Sequence, residues 1–195
     1  IPEFKIRTDL ALEEREGLKE AAEEVSGVSF KKWEGKRSAA QITEVKVLNE
    51  HGAKALGKPM GSYLTLEADK LLMPDEDFHS EVSDELALLL KGLLKQKTGK
   101  NILVAGLGNQ SVTPDSLGPR TVSNLCVSAE GLKAIAPGVM AQTGMETARI
   151  LLGIIKEVQP DLVIAIDALA ARSIRRLGTT IQLTDTGIHP GSGVG

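Results

Sequence analysis

Three aspartates stand where apolar runs give out. Asp115 lies in the loop after Ile102-Leu103-Val104-Ala105, Asp167 directly follows Leu162-Val163-Ile164-Ala165-Ile166, and Asp185 follows the run Thr179–Leu183. Short continuous apolar runs bounded by loops read as strands buried on both faces, the habit of parallel sheets. If the three strands are parallel, all three carboxylates lie beyond the carboxyl ends, the edge where open α/β sheets place their sites. Two carboxylates brought close there cannot both ionise readily, so one keeps a proton and the other becomes a base. Such a pair activates water and protonates a leaving amine. The competing assignment is structural, because Asp also caps turns and helix starts. His189, in the loop Gly187-Ile188-His189-Pro190-Gly191, stands close to Asp185 in sequence. Asp185 and His189 are therefore supporting or metal-ligating candidates, with a plain loop histidine as the alternative. Arg172, Arg175 and Arg176 follow Asp167. They read either as a solvated helix end or as a grip on an acidic substrate side chain, since guanidinium groups bind carboxylates in bidentate fashion.

Other motifs carry less. Gly52-Ala53-Lys54-Ala55-Leu56-Gly57-Lys58 approaches a P-loop, but Pro59 stands where the magnesium-binding hydroxyl belongs, so the segment reads as a hairpin connection. Gly106-Leu107-Gly108 follows a strand as in dinucleotide-binding loops, yet Ser111 replaces the third glycine and Pro114 breaks the helix start. No HExxH arrangement occurs, and Ser192 lacks the nucleophile-elbow spacing. The single Cys126 reads as a core residue of an apolar helix.

The elements that must position these groups follow from periodicity. Residues 9–24 suggest an exposed helix, 31–38 a polar linker, Gln41–Leu48 and Ser62–Glu67 two strands, and Gly52–Gly61 a turn-rich connection. Val82, Leu86, Leu89, Leu90 and Leu93 recur at helical spacing up to about Gly99. A helix is expected from Pro119 through Leu125. Another follows a capping box at Thr143-Gly144-Met145-Glu146 and is stopped by Pro160. Strand and helix alternate in the second half, which implies an α/β fold: a mostly parallel sheet with helices on both faces. With 195 residues and 42% apolar content, the chain reads as one globular domain. Its net charge of −3 and 3% aromatics argue against direct nucleic-acid binding, and no apolar run reaches membrane-spanning length. One cysteine fits a reducing, cytoplasmic compartment. Residues 101–195 hold only seven acids but 12 of the 20 glycines, so each carboxylate there needs a reason.

Several of these strings together resemble one family. Ile6–Glu13 (IRTDLALE), Asn101–Pro119 (NILVAGLGNQSVTPDSLGP), Ala136–Met140 (APGVM), Ile164–Ser173 (IAIDALAARS) and Thr179–Gly195 (TTIQLTDTGIHPGSGVG) look like the bacterial spore germination protease family, an aspartic-peptidase group. The resemblance implies an endopeptidase that opens the degradation of small acid-soluble spore proteins in the spore core. It implies a self-processing zymogen, a homotetramer, and a phosphorylase/hydrolase-like fold akin to hydrogenase maturation peptidases. By resemblance the catalytic aspartates are Asp115, in Thr113-Pro114-Asp115, and Asp167, in Ile166-Asp167-Ala168. The family's preference for an acidic residue, then a hydrophobic residue, then Ala matches Asp9-Leu10-Ala11, which places self-processing between Asp9 and Leu10. Residues 1–9 would then be a prosegment, and 10–195 the N-terminal part of a catalytic domain expected to continue past Gly195. The bridge Val127-Ser128-Ala129-Glu130 is shorter than the family's usual connection. No cofactor is fixed by these residues; a divalent metal remains open. A metal-dependent maturation-type peptidase and a non-catalytic nucleotide- or peptide-binding module are the alternatives.

Overall fold

The computed structural model describes residues 8–19, 25–94, 101–127 and 130–188. Where the sequence reads as one α/β domain, the chain divides into two compact units. The first takes residues up to Lys95 together with Ala170–Thr186, and the second takes Gln96–Leu169 and the residues from Gly187 on.

The first unit is built on an antiparallel sheet of β1 (Val28–Glu34), β2 (Gln41–Val47), β3 (Gly61–Glu67) and β7 (Thr180–Thr184), in that order. Alternation along β2 and β3 sends side chains to both faces. Val45 stands opposite Tyr63 and Ile42 opposite Leu66. On one face Val45, Val47 and Tyr63 pack with Ala11 of α1 (Ala11–Lys19) and Leu56 of α2 (Glu50–Leu56). On the other, Ile42 and Leu66 pack with Val82 of α3 (Glu76–Leu94).

Three expectations change here. The supposed polar linker at 31–38 begins inside the edge strand β1. Phe30 and Trp33 pack against the two cores while Lys31 and Lys32 are exposed, a composition that blunts a sheet edge. The turn-rich stretch from Gly52 contains most of α2, which Asn49 caps by accepting the Gly52 N–H at 2.9 Å and which Gly57 ends at φ 63°. The helix expected to be exposed over 9–24 opens with Leu10, Ala11 and Leu12 all buried.

The second unit carries the parallel sheet. β4 (Ile102–Gly106) lies between β5 (Leu132–Ile135) and β6 (Leu162–Ile166), all three parallel. α4 (Leu117–Ser123) links β4 towards β5, and α5 (Met140–Thr143) and α6 (Thr147–Val158) link β5 to β6. Ala105, Leu107 and Leu151 form its buried core. Thr143 closes α5 rather than capping the next helix, and Glu146 takes the cap position of α6. Cys126 lies beyond the end of α4 and is exposed, not core.

The expectation of one mostly parallel sheet is therefore corrected. Thr179–Leu183 does not extend the parallel sheet; β7 runs antiparallel to β3 in the first unit, pairing Thr65 with Gln182. Its residues alternate polar and apolar, Thr180-Ile181-Gln182-Leu183-Thr184, the pattern of an antiparallel strand and not the continuous apolar run of a parallel core strand. Asp185 thus follows a strand of a different sheet from the one that carries Asp115 and Asp167.

Candidate active site

Asp115 and Asp167 both belong to the second unit, on loops that leave the carboxyl ends of the neighbouring strands β4 and β6. After β4 the chain turns back through Gly108 and a short 3-10 turn, Thr113–Asp115. Gly108 adopts φ +110°, and a Cβ there would sit 2.0 Å from the Asp115 carbonyl oxygen, so only glycine lets the loop double back. The Asp115 carboxylate accepts the Asn109 N–H at 2.7 Å. Asn109 in turn accepts from the Ser111 N–H at 3.0 Å and from the Gln142 amide at 2.8 Å, which ties α5 to the aspartate loop. Asp167 turns its Oδ1 to the following Ala168 N–H at 2.9 Å.

Both aspartates line one cleft of about 800 Å³, walled by Leu107, Val112, Val139 and Met140. A carboxylate pair beside an apolar wall is suited to hold a water against a peptide carbonyl while an aliphatic side chain rests alongside.

The other candidates fall elsewhere. Asp185 lies in the first unit after β7, and its Oδ1 accepts the Ser62 N–H at 2.8 Å, a turn-capping role. His189 lies outside the described residues. Among the described residues no group of three or more His, Cys, Asp or Glu is arranged to hold a metal ion.

Arg172 and Arg176 are engaged by the chain's own acids within the first unit. Arg176 meets Glu16 through two bonds of 2.8 Å, Glu67 at 2.8 Å and Glu13 at 3.2 Å. The bonds to Glu16 raise its already high pKa against the opposing effect of burial, with Glu67 adding to the rise. Arg172 pairs with Glu14 at 3.2 Å. Arg175 is exposed.

Sequence reasoning missed the group at the centre of this cluster, Glu13. It is 3% exposed, and its carboxylate accepts the backbone N–H groups of Arg172 at 2.6 Å and Ser173 at 2.9 Å. Burial pushes its pKa up, but hydrogen bonds from Thr8, Arg172, Ser173 and Arg176 outweigh burial and hold it below the ordinary carboxyl value of 4.5. A depressed folded-state pKa stabilises the protein fully above the ordinary value, and that stability is lost as pH falls through the folded value. Glu13→Gln should therefore cost about 2 kcal/mol at neutral pH. The gap from wild type should close progressively below pH 4.5; urea unfolding at a series of pH values reads it.

Asp9 and Leu10 are fixed beside this cluster. Asp9 donates its N–H to the Ala170 carbonyl at 2.8 Å and accepts the Ala170 N–H on Oδ2 at 2.9 Å. Its carbonyl accepts from Lys58 Nζ at 2.9 Å and from the Gln182 amide at 3.4 Å, while Gln182 Oε1 accepts the Ala11 N–H at 2.9 Å. Leu10 is 1% exposed. The signal for Gln182 was visible: one long polar side chain in the otherwise short or apolar run Thr179–Leu183.

No described helix is long and apolar enough to cross a membrane. The family model for germination protease matches residues 6–195. The chain is 50% identical to a germination protease of Caldanaerobacter subterraneus over 97% of its own length and 62% of the relative's. It is 44% identical to one of Oceanobacillus iheyensis, over 98% of this chain and 58% of that protein. It is 41% identical to one of Clostridium perfringens, over 98% and 63%. The chain thus spans about three-fifths of the length of these relatives.

Proposed function

This chain belongs to the germination protease family, and from that premise we propose that it is the N-terminal part of an endopeptidase whose Asp115 and Asp167 share a water and a proton. One carboxylate takes the proton from the attacking water and the other gives one to the leaving amine. The observation that carries the reading is that the two aspartates, from adjacent parallel strands, line a single cleft with an apolar wall. The second unit is read as the phosphorylase/hydrolase-like part of the fold, akin to hydrogenase maturation peptidases. Substrates are small acid-soluble spore proteins of the spore core, and the working assembly is a homotetramer.

Residues 1–9 act as a prosegment removed by cleavage between Asp9 and Leu10. With Leu10 buried and the Asp9 carbonyl held by Lys58 and Gln182, cleavage requires residues 8–10 to leave their seats first. Arg172 and Arg176 serve this chain's own acidic turn, and Arg175 is the exposed one of the three.

The test is incubation of the protein alone and with a peptide containing a Thr-Glu-Ile-Ala sequence, read by mass. A new N-terminus at Leu10 and a cut after Glu are expected. An intact chain together with an uncut peptide, in folded protein, sinks the endopeptidase reading.

A further inference from the structure

We propose that Glu13 is the receptor for the α-ammonium group that cleavage creates at Leu10, so that the processed chain locks its own new terminus into the first unit; this rests on the processing position proposed above. Hydrolysis adds the water's oxygen to the Asp9 carbonyl carbon and breaks the bond to the Leu10 nitrogen. At neutral pH both protons of the water end on that nitrogen, giving a carboxylate on Asp9 and an ammonium on Leu10.

The geometry of the uncut chain prepares the exchange. Leu10 occupies the cap position of α1: its carbonyl accepts the Glu14 N–H at 3.2 Å, and Ala11 is the first helical residue. Glu13 is the third helical residue, the place from which a glutamate reaches back to the nitrogen of the cap residue. In the uncut chain that contact is intercepted, because the Leu10 N–H goes to the Thr8 hydroxyl at 3.1 Å. Thr8 departs with the prosegment, and the direct path from the Leu10 nitrogen to Glu13 opens.

The surroundings make the pairing necessary. Leu10 is 1% exposed and a buried ammonium without a partner is costly. A positive charge at a helix start is opposed by the helix dipole, and Lys58, bonded to the Asp9 carbonyl, is a like charge next to the cleavage point. The facing charges are thus Lys58, Glu13, Arg176, which Glu13 shares with Glu16 and Glu67, and Arg172, whose guanidinium donates to the Glu13 carbonyl at 3.4 Å and to Glu14 at 3.2 Å. Glu13 is pre-oriented by the Arg172 and Ser173 N–H groups before any cut is made, so little is lost in ordering it.

The experiment uses chains that begin at Leu10. These come from self-processing and, independently of it, from a ubiquitin fusion released at Leu10. The rate at which an amine-reactive acetylating reagent modifies the Leu10 α-amino group is read by peptide mass. In the wild-type sequence modification should be at least tenfold slower than in Glu13→Gln, and the α-amino group should titrate above the usual value of about 8. Equal rates in the two chains, or a wild-type terminus as reactive as that of an unfolded peptide, overturn the proposal. If Glu13→Gln does not fold, the wild-type α-amino titration decides: a value at or below the usual one overturns it. A chain that fails to process itself but protects Leu10 after release from ubiquitin contradicts the processing position and leaves the receptor standing.

Discussion

Asp115→Asn and Asp167→Asn should each lower the cleavage rate of a Thr-Glu-Ile-Ala peptide by about a thousandfold or more, with the melting temperature little changed. The size follows from the chemistry. A positioned acid or base contributes about 10² to 10⁴ in rate, and an amide can neither take nor give the proton. The retention of fold follows from the contacts. The amide that replaces the Asp115 carboxylate still offers an oxygen to the Asn109 N–H, which Asp115 accepts at 2.7 Å. The amide that replaces Asp167 likewise still offers one to the Ala168 N–H. Because the two groups act as one unit, the double variant should be no slower than the worse single one by more than a few-fold. Stopped-time assays on the three variants, with thermal melts beside them, decide the matter. A single variant that keeps more than a tenth of the activity removes that aspartate from the mechanism.

Which parts of this arrangement the sequence discloses has a physical pattern. Asp115 and Asp167 were legible because each follows an apolar run in a half of the chain that is poor in acids, and both runs do form neighbouring parallel strands. Asp185 follows a run that alternates polar and apolar residues, Thr180-Ile181-Gln182-Leu183-Thr184, and this alternation, not read as such in the sequence, belongs to a strand of the antiparallel sheet. Pairing partners are chosen by contacts far along the chain: β7 meets β3 across more than a hundred residues. Glu13 was hidden for another reason. It sits among Glu14, Glu16 and other acids that look like a solvated helix face, and only the chain from Ala170 to Arg176, brought against α1, singles it out for burial. The buried Leu10-Ala11-Leu12 turn could have been suspected from its three apolar residues in a row, but its seat on Gln182 could not. β1 was missed because Lys31 and Lys32 are exposed and make the segment look polar, although Phe30 and Trp33, one on each face, pack against the two cores.

Gly118→Ala should cost about 3 kcal/mol or more and lower cleavage about a hundredfold without touching either aspartate. A Cβ on Gly118 would lie 2.3 and 2.4 Å from the carbonyl oxygen and nitrogen of Leu107, and 2.5 Å from the carbonyl oxygen of Ile166. These are backbone atoms, and no rotamer change relieves them, so the cost exceeds ordinary overpacking by a methyl group. The same close approach appears from the other side, where a Cβ on Gly106 would lie 2.2 Å from the Gly118 carbonyl oxygen. The start of α4 therefore lies flush against the ends of β4 and β6, where the Leu107 N–H donates to the Ile166 carbonyl at 2.8 Å. That bond sets the separation of the two loops that carry Asp115 and Asp167. Pushing α4 outward by even an ångström moves the first relative to the second, and a misplacement of that size costs about a hundredfold in rate. Gly153→Ala in α6 is the matched control, since nothing lies within 4 Å of its Cβ position. There the loss of backbone freedom in the unfolded chain should raise stability by about 0.5–1 kcal/mol with cleavage unchanged. Chemical unfolding and peptide assays on the two variants separate the effects; a Gly118→Ala protein as stable and as active as wild type would show that α4 does not set the spacing of the pair.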